Sequence, residues 1–248
     1  MAREIDLSSE VLLSRHGGVL DVLRVLSRKV PEPDWCLIGG LMTFLVLREQ
    51  SSGADARASQ TKDADVVVEV ATGSAQRVIH ELATMGFEQI EMFFGQSQAQ
   101  ARYSMGHTLI DVLAPDDGDP EDLNLEEGTM TLAAPGGRRA LQVSTVATVY
   151  YGVDGVAELR LPTIGHAVVV KSAAVLDQRT EGQPRHLEDV VELLGAIDEP
   201  DAWVDGMNES DLDLLERVSP RVAAAGDLEA IAALQLLLRA TGEQESPG

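Results

Sequence analysis

The chain has 248 residues, 44% of them hydrophobic, and a formal charge of −22 from 41 acidic and 19 basic side chains. That size allows one large domain or two small ones around a sizeable core. The acidic balance tells against long-range attraction to nucleic acid unless basic residues cluster. The single cysteine, Cys36, excludes an internal disulfide and fits a reducing compartment. It lies in an apolar run and reads as an inert, buried thiol. The opening MAREIDLSSE lacks the apolar core of a signal peptide. No run reaches the ~18 apolar residues of a membrane helix. A soluble, cytoplasmic protein without membrane contact is expected.

In chain order, residues 8–30 predict a helix, capped by Ser8 or Ser9 and broken at Gly17-Gly18. Pro31 and Pro33 end it before Trp35-Cys36-Leu37-Ile38, an apolar run that reads as a buried strand. Gly39-Gly40 follows, and Leu41 to Arg48 carries apolar residues at helical spacing. Ser51 to Gln60 is a polar loop, either mobile until substrate binds or, more simply, an insertion. Thr61-Lys62-Asp63-Ala64-Asp65 then runs into Val66-Val67-Val68. Ser74 to Met85 predicts an amphipathic helix closed by Gly86. Strands are expected over Phe87–Phe94, from Gln100 and over His107–Leu113, with an acidic, solvated loop over Asp116–Glu127. Short β-type segments follow at Met130–Ala133 and Ala140–Val143, and Val153–Val156 reads as a hairpin turn before Leu159–Leu161. Beyond Pro162 the pattern turns helical: His166–Arg179, Arg185–Ala196, Ser210–Val218 and Asp227–Ala240. Glu243–Gly248 reads as a disordered tail.

The chemistry concentrates between Trp35 and Val70. A strand, two glycines and a helix start allow backbone N–H groups to approach phosphate oxygens. Side chains alternate along a strand, so Asp63 and Asp65 share one face. Two carboxylates beside a glycine turn suggest a cation held against a triphosphate. Asp111 stands between Ile110 and Val112, where an unpaired carboxylate is costly to desolvate and a metal ion would remove the cost. Three carboxylates from two strands can hold two Mg²⁺ about 3.5–4 Å apart, the arrangement for in-line phosphoryl transfer. The plainer reading of Asp63 and Asp65 is an acidic strand face that keeps an edge soluble, and that of the glycines is a turn without a ligand.

Gly39-Gly40, Thr61-x-Asp63-x-Asp65 and Asp111 together resemble the nucleotidyltransferase superfamily with the DNA polymerase β-type core. Within it, the chain looks most like the AbiEii/AbiGii toxin group of bacterial toxin–antitoxin systems. The resemblance covers roughly residues 35 to 195. It implies an α+β fold: a mixed-sheet nucleotidyltransferase core with helices on one face, followed by a C-terminal helical domain. The expected division is a catalytic core over 1–125, a β-rich extension over 126–162, a helical domain over 163–242 and the tail 243–248. It also implies that Asp63 and Asp65 bind the metal that bridges the nucleotide's phosphates. Asp111 would complete a second metal site, and Gly39 and Gly40 would meet the β- and γ-phosphates. Lys171 and Arg179 match a lysine and arginine of the family's later helix, against which Lys171 reads plainly as a snorkelling lysine. Where the family has Lys-Asp followed three residues later by Asp, this chain has Arg185-His186 and then Asp189. Arg185 and Asp189, one helical turn apart, would otherwise simply pair.

The leading expectation is a Mg²⁺-dependent nucleotidyltransferase that moves NMP from an NTP to a hydroxyl. The resemblance suggests tRNA as acceptor and a cognate antitoxin as partner. For RNA, Arg138-Arg139, Arg160, Lys171, Arg179 and Arg185 would have to gather on one face. An acidic cleft suits a polycationic small molecule such as an aminoglycoside better. A fold member that binds nucleotide or a protein without turnover is the third expectation. Arg102, shortly before the Asp111 strand, could reach phosphate but reads by default as a surface arginine; Trp35 and Trp203 read as core residues. His107, His166 and His186 have neither zinc-ligand spacing nor a nucleophile partner.

Overall fold

Two β-sheets and a set of helices make this an α+β fold, seen in a computed structural model that describes residues 2–7, 10–50, 63–94, 97–117, 124–126, 129–130, 132–177, 183–198, 203 and 206–242. The strands are β1 (Arg3–Leu7), β2 (Trp35–Ile38), β3 (Asp63–Val68), β4 (Glu88–Phe94), β5 (Ser97–Met105), β6 (Thr108–Pro115), β7 (Asn124–Glu126), β8 (Thr129–Met130), β9 (Ala133–Ala134), β10 (Thr145–Tyr151) and β11 (Gly155–Leu161). The helices are α1 (Glu10–Lys29), α2 (Gly39–Gln50), α3 (Ser74–Thr84), α4 (Gly137–Val143), α5 (Ile164–Leu176), α6 (Gln183–Gly195), α7 (Glu209–Ala225) and α8 (Leu228–Gly242).

Among the described residues the larger sheet runs β2-β3-β6-β5-β8-β7, with β4 beside β5 and β9 beside β6. The smaller runs β1-β10-β11. In the larger sheet β2–β3 and β5–β6 are antiparallel, whereas β3–β6 is parallel. Alternation along β3 divides the interior in two. Ala64, Val66 and Val68 face a core shared with Val78 and Leu82 of α3 and Leu20 and Leu23 of α1. Val67 faces the other way, into a smaller core with Cys36 and Ile38 of β2, Ala140 and Leu141 of α4 and Val170 of α5. So α1 and α3 cover one face, and α4 and α5 cover part of the second, which also carries Asp63 and Asp65. Seven consecutive residues of α2, Leu41 to Leu47, are buried, as expected of a helix walled in on every side.

Several elements depart from the sequence-based expectation. Helix α1 continues through Gly17-Gly18. Interior glycines cost ~1 kcal/mol each, which the packing of buried Val19, Leu20, Leu23 and Leu26 outweighs. Ala140–Val143 is the end of α4 rather than a strand. Its first turn is held by Asp116, whose carboxylate accepts from the N–H groups of Gly136 and Arg138 at 2.7 and 3.1 Å. Asn124–Glu126 is a strand inside the expected acidic loop. Helix α7 runs past Val218 and through Pro220 to its cap at Gly226. Buried Val218 and Val222 hold both sides of the proline to the core. The N-terminal strand β1, unforeseen, pairs in parallel with β10 from Arg3↔Ala147 to Leu7↔Tyr151. The turn before β11 forms as expected, with β10 and β11 paired antiparallel from Thr145↔Leu161 to Tyr151↔Gly155. The expected loop Ser51–Gln60 and tail Glu243–Gly248 lie outside the described residues. Among the described residues no helix is long and apolar enough to cross a membrane.

Candidate active site

The site begins where β2 becomes α2 without an intervening loop. Gly39 makes that turn with φ +72°, a backbone state that costs a side chain ~1–2 kcal/mol. A Cβ at Gly39 would also lie 1.7 Å from Oδ2 of Asp65. Glycine is therefore required twice over. Gly40 is the second residue of the same helix, whose first N–H groups have no partner within the helix.

Strand register assembles the rest. Ile38 of β2 is paired with Asp65 of β3, Asp65 with Asp111 of β6, and Asp111 with Arg102 of β5. Four strands thus present a row across one face, and residues opposite one another in a ladder sit side by side. Asp63, two residues back along β3, shares that face beside Leu109. Among the sequence candidates, the structure brings Asp63, Asp65, Asp111, Gly39 and Gly40 together. Thr61 and Arg179 lie outside the described residues.

Electrostatics record this crowding. Burial pushes the Asp65 carboxyl up to about 6; the charge of Asp111 adds to the rise, and Lys171 opposes it. Burial also raises the proton affinity of Asp63, with Arg102 opposing, Asp111 reinforcing and Arg185 opposing. Carboxylates raised by desolvation and mutual repulsion are groups that a hard cation would relieve. Asp63 and Asp65 fit that description. Asp111 is held otherwise: Nε and Nη2 of Arg102 donate to its two oxygens at 2.7 Å each. Among the described residues, no group of three or more His, Cys, Asp or Glu side chains is arranged to hold a metal ion.

Lys171 does not snorkel. It is 3% exposed and donates to Oδ2 of Asp189 at 2.6 Å, joining α5 to α6. Asp189 therefore takes Lys171, not the exposed Arg185 on its own helix, as its partner. The pair stands beside the acidic row, since Lys171 bears on Asp65. Arg102, by default expected to be a surface arginine, is instead a residue of the site. Its signal was the tight turn at Gly106-His107: Met105↔Thr108 pairing sets Arg102 opposite Asp111.

Three other arginines, Arg138, Arg139 and Arg160, are engaged elsewhere. Arg138 is bound by Glu69 and Asp117. Arg139 donates to Asp211 and to the carbonyl of Gly206, linking α4 to the start of α7. Arg160 is buried and donates to the carbonyls of Pro33, Trp35, Leu141 and Ser144. Cys36 is buried, which pushes its thiol up to about 12. Trp35 is in the core and Trp203 packs partly buried against it.

Fold and site together define a class: an α+β protein whose mixed sheet carries an acidic row beside a strand–glycine–helix turn. No family model matches the chain, and no curated protein matches it. Among solved structures, it is similar to an antigenic nucleotidyltransferase-like protein from Paracoccidioides brasiliensis, with 16% identity and a TM-score of 0.49 over 88% of this chain and 92% of that one.

Proposed function

We propose that this chain is a Mg²⁺-dependent nucleotidyltransferase that moves NMP from an NTP to a hydroxyl acceptor. The observation that carries the reading is the row of Asp65 and Asp111 on paired strands, with Asp63 alongside and Gly39 against the Asp65 carboxylate. Asp63 and Asp65 are the cation ligands. The N-terminus of α2, at Gly39 and Gly40, offers N–H donors to phosphate oxygens. Bound Mg²⁺ would neutralise the phosphates and draw charge from the α-phosphorus. The acceptor oxygen bonds to that phosphorus, the bond to the bridging oxygen breaks, pyrophosphate leaves, and the hydroxyl proton passes to solvent. Lys171, fixed by Asp189, supplies a positive charge at the inner edge of the row.

The acceptor the surface favours is small and cationic, such as an aminoglycoside. Arg138, Arg139, Arg160 and Lys171 are each bound to groups of the chain itself, which leaves exposed Arg185, beside Asp63, as the other described member of the basic set an RNA acceptor would need. A tRNA acceptor, with the chain as the toxin of a toxin–antitoxin pair, is the competing version.

Incubation with each labelled NTP, Mg²⁺ and either total tRNA or an aminoglycoside panel tests both. The expected result is label transfer and pyrophosphate release with the small acceptor, lost in Asp63→Asn and Asp65→Asn. Full transfer by those variants would sink the mechanism. Labelled tRNA would overturn the choice of acceptor alone.

A further inference from the structure

The proposed cation site has a feature that competes with a second metal ion. Asp111, the residue placed to complete a second metal site, has both oxygens committed to one guanidinium, through Nε–Oδ1 and Nη2–Oδ2 bonds of 2.7 Å. Two parallel charge-assisted bonds are the strongest form such a pair takes. The pairing is built into the sheet, because Arg102 and Asp111 are opposite residues of a hairpin closed at Gly106-His107. It is also sheltered: the side chains are 32% and 13% exposed, so water does not screen it as it would a surface pair.

We propose that Arg102 permanently takes the place of the second divalent cation, so that this site binds a single metal ion, at Asp63 and Asp65. The inference rests on the nucleotidyltransferase reading only for the existence of that one cation site. Charge supports it. Asp63, Asp65 and Asp111 carry three negative charges and Arg102 removes one, leaving two for one divalent ion to balance. A second ion at Asp111 would compete with the guanidinium for the charge of the same carboxylate and would lie a few ångströms from a cation already fixed there. Arg102 is close enough to act electrostatically on Asp63 and Asp65 as well as Asp111, so its charge already serves the whole row.

Counting bound Mn²⁺ on the full-length protein by paramagnetic resonance tests the inference without any turnover. Ions that remain in an Asp63→Asn/Asp65→Asn double variant are subtracted as surface binding. One Mn²⁺ is expected for the wild-type protein. One is also expected for Arg102→Lys, which keeps the charge, and for Asp111→Asn, where the loss of one negative charge lowers affinity without changing the count. Arg102→Gln, which frees the Asp111 carboxylate, should bind two. Two ions in the wild-type protein would overturn the inference while leaving the nucleotidyltransferase reading intact. So would a single ion in a folded Arg102→Gln protein. Should Arg102→Gln fail to fold, the wild-type count decides. No specific ion in the wild-type protein would remove the cation site itself, and the reading with it.

Discussion

The carboxylate of Asp65 occupies the space where a side chain at Gly39 would begin, with Oδ2 1.7 Å from the Cβ position. The Asp65 side chain is therefore packed against the first residue of α2 more closely than any residue but glycine permits. Gly39→Ala should fold poorly or move Asp65. Its left-handed backbone alone costs ~1–2 kcal/mol, and the clash adds to it. Thermal unfolding should show a lowered midpoint, and Mn²⁺ titration should show weakened binding. An alanine variant with unchanged stability and unchanged cation binding would refute this account of the turn.

Asp65 also sets a pH dependence of stability in the metal-free protein. Its proton is held more tightly folded, at about 6, than at the ordinary value of 3.8. A raised carboxyl contributes its stability below the unfolded value and loses it as pH climbs through the folded one. This group should therefore destabilise the fold between about pH 4 and 6, at no more than ~1.4 kcal/mol per pH unit. Asp65→Asn removes the contribution. The urea midpoint of the variant, relative to the wild-type protein, should rise from pH 4 to pH 7, and Mg²⁺ should narrow the gap. A constant difference across that range would show that Asp65 is not held in this way.

Lys171 and Asp189 form a sheltered ion pair at 2.6 Å. Removing one member of such a pair typically costs ~3–5 kcal/mol because the other charge is stranded. Lys171→Met should lose stability on that scale, and Lys171→Met/Asp189→Leu should recover most of it. Chemical denaturation of the two single variants and the double variant measures the coupling. Additive losses would mean the pair does not act as a unit.

Arg160 ties four carbonyls together from inside the protein. A lysine has three donors on one nitrogen and cannot span them. Each buried acceptor left unmet costs ~1–3 kcal/mol. Arg160→Lys should therefore lose roughly 2–4 kcal/mol in denaturant titration, with no specific change in cation affinity. A neutral lysine substitution would show that the four carbonyls find other partners.

Local pattern carried much of the reading. The strand at Trp35, the helix after Gly39, the Asp63–Val68 strand and the strand through Asp111 all lie where alternation, glycine punctuation and apolar spacing put them. Each depends on residues within a few positions of one another, so the information is written next to where it is used. Where the expectation failed, a distant partner outweighed the local preference. Gly17-Gly18 and Pro220 sit inside helices pinned by buried neighbours, and β1 exists because β10 lies beside it.

The site divides in the same way. The shared face of Asp63 and Asp65 follows from strand geometry alone, as does the proximity of the glycine turn to Asp65 once β2 and β3 are paired. That Asp111 meets Arg102 rather than standing open, and that Lys171 reaches Asp189 from another helix, was decided by tertiary structure. An ion pair is a statement about which charges end up a few ångströms apart in a desolvated space. Sequence supplies the charges, but only strand register and helix packing supply the distance and the shelter from water that make the pairs strong.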